Sequence, residues 1–126
     1  MHSLKGIQIL IVEDDEMLRD ILCDIFTSQD AEVIQAENGQ DALTILKQKK
    51  IDAVITDMCM HGGDGVTLAG NIKDLPNPPG VFICTGFNDL SQEMAKDLNV
   101  IKVFEKPFDK NDLIDGVYQY ISSRNQ

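Results

Sequence analysis

With 126 residues, 43% of them hydrophobic and 25% charged, the chain is sized for one domain built around one core. Its formal net charge of −10 argues against direct nucleic-acid binding, which depends on Lys and Arg displacing counterions from phosphates. The same charge disfavours an anionic membrane surface and suits cations and basic partner patches.

No apolar run approaches the roughly 18 residues that span a bilayer. The stretch from Met1 to Gly6 lacks a signal peptide's apolar core, and Ile7 to Val12 is too short and runs straight into acids. Cys23, Cys59 and Cys84 form no CxxC pair, so neither a metal cluster nor a disulfide framework is expected. Reduced thiols in a cytoplasmic protein are the expectation.

Along the chain, short β-rich runs alternate with amphipathic stretches. Ile7–Val12 is apolar but for one Gln, as befits a strand covered on both faces. Met17, Leu18, Ile21, Leu22, Ile25 and Phe26 recur at helical spacing and give one wide apolar stripe between about Asp15 and Ser28. Glu32–Ala36 reads as a second strand. Asn38-Gly39 makes a turn into a helix that ends in the Lys47–Lys50 cluster, where cations suit the negative end of the helix dipole.

Ile51–Thr56 is the third strand, followed by a glycine-rich loop from Asp57 to Gly65 and a short helix from about Val66 to Lys73. Pro76, Pro78, Pro79 and Gly80 punctuate before the fourth strand, Val81–Cys84. A weaker helix spans about Asp89 to Leu98. Ile101–Phe104 is the fifth strand, and Asp109 caps a final helix carrying Leu113, Ile114, Val117, Tyr118 and Ile121. Five such units in one short chain predict an α/β fold: a parallel sheet with helices on both faces. The periodicity leaves strand order open.

Sites in such sheets sit outside the carboxyl ends of the strands. Glu13, Asp14 and Asp15 follow the first strand, Asp57 the third, Thr85 the fourth and Lys106 the fifth. Each has a plainer reading alone: Asp14 and Asp15 as helix caps, Asp57 as a turn residue, Thr85-Gly86 as an ordinary turn, Lys106-Pro107 as a solvated loop. Together they put carboxylates, a hydroxyl and an amine on one edge. Converging carboxylates repel one another, and a divalent cation with oxygen ligands relieves the repulsion. A carboxylate so placed can attack a phosphoryl group, with the cation and Lys106 neutralising the phosphoryl oxygens.

In these residues the chain resembles the response-regulator receiver domains of two-component signalling over nearly its whole length. The resemblance rests on ILIVEDDEMLR at the first strand, ENGQDAL opening the second helix, ITDMCM with Gly65 eight residues beyond Asp57, ICTG at the fourth strand and EKPF after the fifth. It implies a flavodoxin-like, doubly wound five-stranded sheet in the order 2-1-3-4-5 and a single receiver domain over 1–126, with no output domain expected in this chain, whether it acts alone or is a piece of a larger regulator or hybrid kinase. It implies a phosphoacceptor at Asp57, charged by a phosphohistidine on a histidine kinase or phosphotransfer protein. The implied cofactor is Mg²⁺, with Mn²⁺ as a substitute, held by Asp14 and Asp57, by Glu13 through water and by the Cys59 carbonyl. Thr85 would be the switch hydroxyl and Lys106 the phosphate-binding lysine, with a downstream protein as target. Such a domain assists its own phosphorylation and dephosphorylation and is not a turnover enzyme.

The sequence departs from the family pattern in two places. His61 stands where proline is usual, four residues after the acceptor. Val103 takes the place of the aromatic residue three before the lysine, while Phe104, one place later, falls on the opposite sheet face. Phe87 and Cys59 occupy the positions that flank the water path to an acyl phosphate, so Phe87 is expected to shield it. A phosphorylation-independent interaction module of the same fold is the alternative. An aspartate-nucleophile phosphohydrolase would want a second Asp where Cys59 stands, and a flavin carrier would not place three acids after its first strand.

Overall fold

Unbroken apolar runs dictate the centre of the molecule. Strands β1 (Gln8–Val12), β3 (Ala53–Asp57) and β4 (Gly80–Thr85) are buried almost throughout. They are flanked by β2 (Glu32–Ala36) and β5 (Val100–Glu105) in one five-stranded parallel sheet, ordered β2-β1-β3-β4-β5. This is a computed structural model, and it describes residues 3–58, 65–86 and 92–124. The connections are α1 (Glu16–Thr27), α2 (Gly39–Gln48), α3 (Gly65–Lys73), α4 (Gln92–Asp97) and α5 (Lys110–Arg124).

Side-chain alternation along the strands divides the core in two. Ile9, Ile11, Ile55, Phe82 and Phe104 face α1 and α5, meeting Leu22 and Phe26 from the first and Leu113 and Val117 from the second. Leu10, Val12, Val54, Val81 and Ile83 face the other way, against Ala42 of α2 and Leu68 and Ile72 of α3. The doubly wound fold expected from the sequence is the observed one. The strand order reverses between β1 and β3, and that reversal opens a crevice at their carboxyl ends.

Element ends differ from the apolar pattern for local reasons. β3 begins at Ala53, not at Ile51, and just before it the Asp52 carboxylate takes the Gln8 N–H at 2.9 Å. At the other end β3 and β4 include Asp57 and Thr85, so both polar residues are held by ladder pairing. Asp15 caps α1, accepting from the Leu18 N–H at 3.1 Å. The apolar stripe of α1 is wider than the face it buries: Met17 is 75% exposed and Ile21 49%.

Candidate functional site

The acids after β1 do not share one environment. Glu13 is buried to 1% exposure, held there because its N–H donates to the Ala36 carbonyl and its own carbonyl accepts from Arg19 Nη1 at 2.8 Å. Its Oε2 accepts the Asp14 N–H at 3.0 Å, whereas Oε1 is buried with no hydrogen-bond partner. Asp14 is half-buried and Asp15 exposed. Burial, reinforced by the charge on Asp57 and opposed by Lys106, pushes the Glu13 carboxyl up to about 7.

Asp57 ends β3 with its carboxylate fixed from two sides. Oδ1 accepts the Met58 N–H at 2.8 Å, and Oδ2 lies 3.2 Å from Lys106 Nζ. Lys106 also sits 3.7 Å from Glu13 Oε1. Its position follows from β5, since the Lys106 N–H donates to the Thr85 carbonyl at 2.7 Å. Thr85 itself is buried, next along β4 from Cys84, the ladder partner of Asp57.

One carboxylate oxygen each from Glu13, Asp14 and Asp57 lies within 4.8 Å of the others. An all-oxygen set of three carboxylates, one of them carrying a buried oxygen with no hydrogen bond, matches what a hard divalent cation requires. The donors present therefore fit the metal that the sequence reading implied. A single lysine offsets only part of three converging negative charges.

The structure thus brings together Glu13, Asp14, Asp57 and Lys106 and places Thr85 on the adjoining strand end. Val103 is half-buried among the side chains facing α2 and α3, while Phe104 packs on the α1 and α5 side, as their alternation along β5 predicts. Cys59, His61 and Phe87 lie outside the described residues. Arg19 carries a role that sequence reasoning did not assign. Besides gripping the Glu13 carbonyl it donates from Nε to Gln35 Oε1 at 3.2 Å and so braces the acidic turn against β2. Its signal was a cation one turn into a helix that opens on acids.

Comparison with known proteins agrees. The family model for the response regulator receiver domain matches residues 9–118. The chain belongs to that family. Among relatives of this receiver domain, Sporulation initiation phosphotransferase F of Bacillus subtilis is 32% identical over 115 residues, covering 90% of this chain and 93% of that protein. Chemotaxis protein CheY of Halobacterium salinarum is 26% identical over 117 residues, covering 92% and 98%. A response regulator receiver domain protein from Clostridium thermocellum superposes with a TM-score of 0.87 at 25% identity, over 94% of this chain and 97% of that one. This receiver domain is a phosphoacceptor module of two-component signalling. Among its described residues no helix is long and apolar enough to cross a membrane.

Proposed function

We propose that Asp57 is the phosphoacceptor of this receiver domain, that Glu13, Asp14 and Asp57 hold Mg²⁺, and that Lys106 and Thr85 read the phosphorylated state. The observation that carries this reading is Lys106 Nζ at 3.2 Å from Asp57 Oδ2, inside a cluster of three carboxylates at the β1/β3 crevice. Asp57 is exposed enough to be reached and fixed enough to be aimed.

In the transfer, a carboxylate oxygen of Asp57 attacks the phosphorus of a phosphohistidine on a kinase or phosphotransfer protein. The P–N bond breaks, its electron pair returns to the imidazole, and an acyl phosphate forms on Asp57. Bound Mg²⁺ supplies charge neutralisation for the phosphoryl oxygens. Lys106, already against Asp57, adds a cation on its own side and exchanges its contact with the carboxylate for one with the new oxygens. The added charge of about −1.5 to −2 draws on Thr85 and Lys106 and biases the surface around α4, β5 and α5, where a downstream protein binds.

The donor docks beside the acids on α1, where Met17 and Ile21, one turn apart, expose large apolar side chains next to the crevice. The unit works as one domain over 1–126 in the cytoplasm, turns over no separate substrate and binds no nucleic acid directly, in keeping with its net charge of −10.

Incubation with Mg²⁺ and acetyl phosphate, read by intact mass, tests the assignment. One phosphate adduct is expected on the wild type and none on Asp57→Asn. An adduct that survives Asp57→Asn places the acceptor elsewhere.

A further inference from the structure

At the amino end of the sheet, a strand length of about 16 Å from the acidic crevice, lies a cleft of about 810 Å³ whose rim carries Lys47, Lys49, Lys50 and Arg124. These are four of the chain's eleven cations, and among the described residues no acidic side chain lines the cleft. Its apolar wall comes from Leu46 and Ile51 on one side and Leu75, Pro76 and Pro79 on the other.

Helix-dipole compensation explains one of these charges and not the rest. Lys47 lies in the last turn of α2, whereas Lys49 is already extended, at φ −131° and ψ 147°, and Lys50 follows it. Arg124 arrives from the end of α5. There it is oriented by Asp52, whose carbonyl and Oδ1 lie 3.3 and 3.7 Å from Nη1, and by the ring of Tyr120 beneath its guanidinium. Lys47, Lys49 and Lys50 form no ion pair among the described residues. The facing wall is stiffened by three prolines around Asn77, which holds a left-handed φ of 52°. The end of α2 and the end of α5 thus bring four cations to the rim of one preformed apolar concavity, three of them without an ion pair among the described residues.

We propose that this cleft docks an acidic segment of a partner protein, in which an apolar side chain flanked by carboxylates fills the floor while the cations grip its flanks. The rest of the chain is strongly negative and on balance repels such a segment, which favours this cleft as its landing place. A nucleotide suits the cleft less well. Asn77 is the one uncharged polar side chain among the described residues that line it, and a base would set its hydrogen-bonding edges against Leu, Ile and Pro without partners.

Backbone amide NMR shifts with a short Asp/Glu-rich peptide carrying a central Phe-Leu pair, at near-physiological salt, provide the test. Saturable shifts confined to residues 46–51, 75–79 and 124 are expected. Replacing Phe-Leu by Ser-Ser, or using the protein with Lys47→Gln, Lys49→Gln and Lys50→Gln together, should each weaken binding about tenfold or more. These lysines are exposed, and an otherwise unchanged amide spectrum verifies that the triple variant folds. Equal affinity for the Ser-Ser peptide would reduce the site to bare charge attraction. Tighter binding of ATP at the same residues would make it a phosphate-ligand site, and absence of saturable shifts there would end the proposal. None of these outcomes bears on the role of Asp57.

Discussion

Gly65 rests directly on Asp57: a Cβ at that glycine would lie 2.5 Å from the Asp57 backbone oxygen and 3.1 Å from the Met58 Cα. The Gly65 N–H also donates to the Met58 carbonyl at 2.8 Å. The first turn of α3 is thereby keyed onto the strand end that carries the candidate phosphoacceptor. Gly65→Ala must displace backbone, not a flexible side-chain tip. Urea denaturation should show a loss of about 1–3 kcal/mol, and the acetyl phosphate reaction should slow because Asp57 is moved. Wild-type behaviour in both measurements would mean the approach relaxes freely.

Glu13 sets a pH dependence whose sign is opposite to that of most acids. Its carboxyl is raised from 4.5 to about 7 in the folded protein, so between those values the native state keeps a proton that the unfolded chain has released. Its stabilising contribution is complete below about pH 4.5 and is lost as pH rises through about 7. Without metal, Glu13→Gln should therefore gain stability over the wild type on going from pH 4.5 to 8, by roughly 2–3 kcal/mol. Saturating Mg²⁺ should narrow that gap, since it binds the ionised wild-type site better than the variant. Parallel pH profiles for the two proteins would contradict the assignment.

Lys106 competes with a cation for the same oxygens while serving the phosphoryl group. Lys106→Met should raise Mg²⁺ affinity a few-fold, measured by calorimetry because the chain has no Trp to report fluorescence. The same change should slow phosphorylation by about tenfold or more. Affinity and rate moving in the same direction would show that the lysine has only one of these roles.

Alkylation separates the described thiols from freely titrating ones. Burial pushes Cys84 up to about 12 and Cys23 up to about 11, so at pH 8 about one Cys84 in ten thousand is thiolate. Iodoacetamide should leave both unlabelled in the native protein and label both in denaturant, as read by peptide mass spectrometry. Rapid native labelling of Cys84 would mean that the central strand opens readily.

On α1, a double change of Met17 and Ile21 to Ser should slow phosphoryl transfer from a protein phosphohistidine donor and leave the acetyl phosphate reaction untouched. Equal slowing with both donors would point to damage at the site in place of lost docking.

Much of this architecture is legible in the chain because its signals are local. An unbroken run such as Ile9–Val12 announces a strand buried on both faces, and the polar residue after each strand announces the working edge. Asp14, Asp57 and Lys106 were readable on that rule alone. Burial of Glu13 was not, since an acid amid acids reads as solvated; only Arg19 and the Ala36 carbonyl, brought in by tertiary folding, seal it. The start of β3 is less legible, since Ile51 is as apolar as the strand it precedes while the regular ladder begins only at Ala53. The basic cleft was invisible for a related reason: Arg124 joins Lys47–Lys50 from the far end of the chain, and periodicity carries no information about such a meeting.

Because every strand points the same way, the loops that leave them and the loops that enter them are strangers to one another. Substitutions in the entering loops can retune what the basic cleft accepts without disturbing the acidic crevice, and those in the leaving loops can alter tempo and donor while the cleft stands unchanged. A lineage built on this frame is free to drift in one respect while being held fast in the other.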